Sequence, residues 1–303
     1  VNAPVLLPVG ADETAPGMSP GVRPITLEAG AFTLSALIAQ PVGPPRATIV
    51  AVHGGGMSAG YFDGQAHPDV SLLTLGARLG YTVVAVDRPG YGLSAAHLPR
   101  GQNLSEQSAA LSTAITHLAD RYPSGAGVFL VAHSFGGKLA LTYAAEQAGP
   151  GTAGPALLGL DVSGCGRDYA VDPGDLRDPH RHGHWKRNWG ALRFYPPNTF
   201  RDAAALVAPM PLRERAEAAR WPESFTAAAA RVPVPVRLTF AEHELWWRND
   251  EEDLNEIAEL FTAAPFVTID RQPDAGHNLS LGWVARSYHL RALAFLEECL
   301  ARA

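Results

Sequence analysis

Ser134 stands at the centre of the stretch Val131-Ala132-His133-Ser134-Phe135-Gly136-Gly137. An apolar run ends directly at the serine, and a helical pattern begins directly after it. A strand-to-helix turn this tight tolerates small flanking residues and leaves the hydroxyl proud of a sheet, the arrangement called a nucleophile elbow. The following helix N-terminus puts partial positive charge beside the attacking oxygen. The usual spelling is G-x-S-x-G, and Ala132 replaces the first glycine with little added bulk. The plainer alternative is a serine that merely caps a helix. A second stretch, His53-Gly54-Gly55-Gly56-Met57, also follows an apolar run. Consecutive glycines let backbone N–H groups converge on one point. In acyl transfer that point is an oxyanion, which predicts donors from Gly55 or Gly56 together with the N–H of Phe135. A flexible turn is the competing reading.

A third stretch, Asp87-Arg88-Pro89-Gly90-Tyr91-Gly92-Leu93-Ser94, lies between these two. In order and spacing the three motifs resemble those of the α/β-hydrolase superfamily, over nearly the whole chain outside an N-terminal arm and an internal insertion. The resemblance implies that the Asp87 stretch shapes a loop and is mainly structural. It also implies a catalytic histidine in the loop before the last helix, where Asp274-Ala275-Gly276-His277-Asn278 stands. A neutral imidazole titrating near working pH suits a general base for Ser134. The family's acid follows a late strand in a Gly-x-x-Asp pattern; here the stretch reads Ala241-Glu242-His243-Glu244. Glu244 takes the position of the acid, with Glu242 and Asp161 as alternatives. The order Ser, Glu, His along the chain suits this fold.

These groups need a scaffold, and its rhythm is readable. Residues 25–27 and 32–39 read as a hairpin. Strands are expected at 47–52, 82–86, 128–132, 157–162, 235–240 and 266–269. Helices are expected at 71–79, 105–118, 136–147, 251–261 and 284–299. Continuous apolar strands alternating with amphipathic helices predict an α/β fold with a mostly parallel central sheet and helices on both faces. The rhythm stops between Gly164 and Pro222, where Arg, His, Trp and Pro accumulate in short helical stretches. The expected organisation is an irregular arm over 1–23, a hydrolase core over 24–163 and 223–303, and an inserted cap over 164–222.

Trp185, Trp189 and Trp246, with His133 of the elbow, are the expected substrate-binding residues. Aromatics beside Arg177, Arg181, Lys186, Arg187 and Arg193 suit a partly apolar substrate bearing an anionic group, although packing and solvated charge explain them as well. His180, His182 and His184 alternate without a carboxylate or cysteine partner, so a lid surface is expected rather than a metal site. No metal and no cofactor are expected.

A formal net charge of −6 over 303 residues argues against a nucleic-acid binder. No apolar run approaches the ~20 residues of a membrane span. Two cysteines, Cys165 and Cys299, fit a reducing cytoplasm. The expected partner is a small-molecule substrate, with no nucleic acid and no membrane insertion, and the chain is expected to be a monomer or homodimer. The expected reaction is attack of Ser134 on an ester-like or thioester-like bond. The alternative is a lyase or tailoring enzyme of bacterial secondary metabolism that eliminates a carboxylate such as acetate; a non-enzymatic binding protein on the same scaffold ranks last.

Overall fold

The computed structural model describes residues 17–147, 154–172, 184–202 and 206–302. Residues 1–16 of the expected arm, and His180, His182, Arg177 and Arg181 of the expected cap, lie outside them.

The sheet has eight strands: β1 (Arg23–Glu28), β2 (Thr33–Ala39), β3 (Thr48–Val52), β4 (Thr82–Val86), β5 (Val128–His133), β6 (Leu157–Ser163), β7 (Val236–Ala241) and β8 (Val267–Gln272). Their spatial order is β1-β2-β4-β3-β5-β6-β7-β8. The β1–β2 and β2–β4 pairs are antiparallel. Every later pair is parallel. β3, β4 and β5 are buried along their whole length, which explains why their sequences are unbroken apolar runs with no alternation.

The described α-helices are α1 (Leu72–Arg78), α2 (Leu104–Arg121), α3 (Phe135–Glu146), α4 (His184–Trp189), α5 (Thr199–Asp202), α6 (Leu212–Ala229), α7 (Glu251–Glu259) and α8 (Ala285–Arg302). Val50, Val52, Leu130 and Ala132 pack with α2, α3 and α7, while Ile49, Ala51, Phe129 and Val131 pack with α1 and α8. Strand alternation thus divides the core into two layers, one on each face of the sheet. Helix starts follow local chemistry: Asn103 and Glu106 form a reciprocal capping box on α2, and Asp250 caps α7.

The strand order reverses around β3. The chain passes from β3 to β4 on one side, then returns to place β5 on the other side of β3. Such a switch point leaves a crevice at the carboxyl ends of the two strands. Val52 is in register with Ala132, so the glycine loop after β3 and the turn after β5 open side by side.

The segment between β6 and β7 differs from the expected short helical stretches. Helix α6 runs for 18 residues straight through Pro222, so the expected boundary at 222/223 falls inside it. The helix persists because Trp221 and Phe225 are fully buried beside α3, and that packing outweighs the local cost of the proline. The segment lies against the carboxyl edge of the sheet: Ala208 N donates to Gly56 O at 2.9 Å, and Trp283 N donates to Phe194 O at 2.8 Å.

Candidate active site

Ser134 joins β5 to α3 with φ 52° and ψ −113°. A non-glycine residue at positive φ carries backbone strain, held here because the surroundings fix it. Its N–H is tied to Ser163 O at 2.8 Å. A Cβ on Gly136 would stand 2.2 Å from Val52 O, so only glycine lets α3 start this close to β3. Ser134 makes no side-chain cap bond to its helix, which leaves its hydroxyl unspent.

His277 sits in the loop between β8 and α8, almost fully buried. Its Nδ1 lies 2.8 Å from Glu244 Oε2. The other carboxylate oxygen of Glu244 accepts the N–H groups of Leu245 at 3.0 Å and Trp246 at 2.9 Å. An acceptor-only carboxylate on Nδ1 puts the ring proton there and leaves Nε2 as the lone-pair nitrogen. Gly164, at φ +58°, follows β6 against this ring; a Cβ there would lie 2.9 Å from His277 Cε1.

The two alternative acids are engaged elsewhere. Asp161 is buried against Arg237 and accepts from Tyr288 Oη at 2.8 Å. Glu242 is exposed and accepts the N–H of Asp274 at 2.8 Å. Of the three carboxylates, Glu244 is the one in contact with His277.

Ser134 and His277 line one cavity of about 750 Å³, its open mouth included. Gly55 and Phe135 line it as well, and the N–H groups of these two residues have no acceptor among the described residues. Gly56 departs from the expectation. Its N–H already donates to Tyr91 Oη at 3.0 Å, which removes it as an oxyanion donor and makes it an anchor for the loop. Arg88 holds the same loop from behind, donating to His53 O at 2.8 Å and Gly54 O at 3.1 Å.

The expected substrate-binding residues divide. Trp246 lines the cavity, with its indole N–H on Asn188 Oδ1 at 2.9 Å. His133 does not line it. Its ring is buried, stacks on Tyr61 at 4.7 Å and bonds Ser163 Oγ at 3.1 Å, and burial holds it well below the usual imidazole range. An elbow residue pointing back into the fold is packing, whatever its type. Trp185 is half-exposed against Phe200, and Trp189 is buried against Tyr195 and Phe200, so both belong to the packing of the segment. The cavity wall also includes Trp247, the neighbour of Trp246, and Lys138, Tyr169, Asn188, Met210 and Arg215, which the sequence pattern did not single out. Of these, Lys138 carried a readable signal: it is one helical turn beyond Ser134 on the same helix face. Among the described residues no group of three or more His, Cys, Asp or Glu side chains is placed to hold a metal. No described helix is long and apolar enough to cross a membrane.

A family model described as "Alpha/beta hydrolase family" matches residues 49–292. The chain belongs to the alpha/beta hydrolase family. No curated protein matches it in sequence. Among solved structures, a thermostable carboxyl esterase from Bacillus coagulans is 17% identical with a TM-score of 0.67, over 92% of this chain and 99% of the esterase. A proline iminopeptidase from Mycobacterium smegmatis is 17% identical with a TM-score of 0.64, over 92% and 99%. An E-2-(acetamidomethylene)succinate hydrolase is 19% identical with a TM-score of 0.64, over 91% and 98%. At these identities the likeness of this alpha/beta hydrolase to its neighbours is one of fold.

Proposed function

We propose that this alpha/beta hydrolase cleaves an ester-like or thioester-like bond with Ser134 as nucleophile, His277 as base and Glu244 as the acid that orients it. The observation that carries this reading is the seat of Glu244. One carboxylate oxygen is pinned by two backbone N–H groups, and the other fixes the His277 tautomer beside a strained serine. In the proposed reaction His277 Nε2 takes the Ser134 proton as Oγ attacks the carbonyl carbon. The N–H groups of Gly55 and Phe135 take the developing oxyanion. His277 then returns the proton to the departing oxygen or sulfur, and water resolves the acyl-enzyme by the same steps. The segment 164–222, extended by the rest of α6, acts as the cap that walls the site.

Support from the neighbours is general: they include a carboxyl esterase and a putative lipase. The test is reaction with a fluorophosphonate. The expected adduct is on the peptide carrying Ser134, and Ser134→Ala abolishes both labelling and ester hydrolysis. Full hydrolysis by Ser134→Ala sinks the reading. Turnover in water enriched in heavy oxygen separates hydrolysis, which puts the label in the product acid, from elimination, which does not.

A further inference from the structure

Lys138 lies on α3, one turn after Ser134, and lines the same cavity. Its side chain is 2% exposed, yet its Nζ has no hydrogen-bond partner among the described residues. Three aromatic rings surround the ammonium: Trp247 at 4.1 Å, Trp221 at 5.1 Å and Tyr169 at 5.3 Å. The polar end of each ring is spent on a backbone carbonyl. Trp247 Nε1 donates to Gly164 O, Trp221 Nε1 to Gly166 O and Tyr169 Oη to Ala218 O. The rings therefore offer the ammonium only their faces, which leaves its hydrogens unbonded.

A second cation, Arg215 of α6, lines the cavity and makes no ion pair among the described residues. No Asp or Glu is among the described residues that line the cavity. Glu244, the acid beside His277, is committed to that ring and to two amides. A buried ammonium without an acceptor is costly and is normally paired or neutralised. Lys138 also lines the cavity, so an anion bound there is the group that can supply the missing acceptor.

We propose that the substrate carries a carboxylate on its acyl half and that Lys138 is the counter-ion that receives it. This rests on the serine-hydrolase reading above and names its substrate class. Because Ser134 and Lys138 share a helix face one turn apart, the carboxylate belongs a few carbons from the carbonyl that Ser134 attacks. Burial pushes the Lys138 ammonium down to about 8, so it remains mostly charged at neutral pH and is poised to gain from a bound anion.

Monoethyl glutarate and ethyl pentanoate differ at one end, carboxylate against methyl, and serve as the probe pair in a pH-stat assay. The expected result is a higher kcat/KM for monoethyl glutarate. Lys138→Met should lower the ratio of the two kcat/KM values about 10- to 100-fold, the worth of one charge-assisted hydrogen bond. Equal turnover of the pair by the wild-type protein, or an unchanged ratio in Lys138→Met, overturns the proposal.

Glutarate binding to Ser134→Ala, read by the fluorescence of the tryptophans around Nζ, needs no turnover. Saturable binding that disappears in the double variant Ser134→Ala/Lys138→Met is expected. No saturable binding, or binding that persists in the double variant, also overturns it. If neither ester is turned over while glutarate still binds through Lys138, the serine-hydrolase reading alone has failed.

Discussion

At the scale of single residues, Glu244 and Lys138 are two buried charges treated in opposite ways. The carboxylate is surrounded by donors, and its amide isostere would have to turn an NH2 group toward either two N–H groups or the His277 proton. Glu244→Gln is therefore expected to force the wrong imidazole tautomer and to lower kcat by roughly 10⁴-fold, while Glu242→Gln stays within about twofold. Steady-state rates of the two variants on one ester check this, and equal loss in both would remove Glu244 from its proposed role. Lys138 makes a different prediction. Below pH 8 the ammonium is charged; as pH rises through about 8 it neutralises, and the preference for monoethyl glutarate over ethyl pentanoate should fall. Of the groups around it, Cys165 is pushed up to about 11 and Tyr169 is raised well above its usual range by burial, so both stay neutral across that window. His277 acts on both substrates, so it does not move the ratio. The sequence singles out Ser134, His277 and Glu244, which the structure brings to one place, because each occupies a fixed position in the order of elements. It leaves the wall illegible, because whether His133 or Lys138 faces the cavity depends on which way a side chain leaves a buried turn, and both residues sit in the same motif.

At the scale of elements, α6 is joined to the glycine loop by one buried node. Glu214 of α6 forms an ion pair with Arg88, receives the Tyr91 hydroxyl at 2.7 Å, and is received in neither case by solvent, since its side chain is fully buried. Arg88 in turn grips His53 O and Gly54 O, and Tyr91 Oη receives the Gly56 N–H. The orientation of the Gly55 amide thus depends on a helix more than 150 residues away in the chain, at 212–229. Glu214→Leu alone leaves Arg88 buried without its acid and should cost about 3–5 kcal/mol in chemical denaturation. Adding Arg88→Met removes the stranded charge and should recover much of that stability. Activity should not recover with it, because His53 O and Gly54 O have still lost the guanidinium; the expected deficit in kcat is up to about 10²- to 10³-fold, the scale of one oxyanion donor. A double variant with stability and kcat restored together would reduce the node to a packing role. The elements themselves are mostly legible: the apolar runs mark β3 to β7 within a residue or two, because strands covered on both faces cannot alternate. Helix α6 is the exception. Its proline reads as a stop, and only the burial of Trp221 and Phe225 against α3, a long-range contact, keeps the helix intact.

At the scale of the whole molecule, the fold keeps several histidines neutral by burial, and this sets its response to acid. Burial holds His53 and His133 well below the usual imidazole range, and it pushes His289 down to about 3. In the unfolded chain each of them takes up a proton near pH 6.5. The native state therefore binds fewer protons than the unfolded state below that pH. The stability these groups contribute is fully present above about pH 6.5 and is lost as pH falls below it, at up to about 1.4 kcal/mol per pH unit for each histidine. Two of the three lie at the site: His53 opens the glycine loop and accepts the Arg88 N–H on Nε2 at 3.1 Å, and His133 immediately precedes Ser134. The third is remote, its Nε2 on Ser280 Oγ at 3.0 Å within α8. Denaturation midpoints should thus fall steeply between pH 6.5 and pH 5. His289→Gln keeps a polar group for Ser280 but has no proton to gain, so it should flatten that slope by about one histidine's share, whatever it does to stability at pH 8. A slope unchanged in His289→Gln would show that this ring is already charged or already exposed in the folded protein, and would assign the acid sensitivity to other groups.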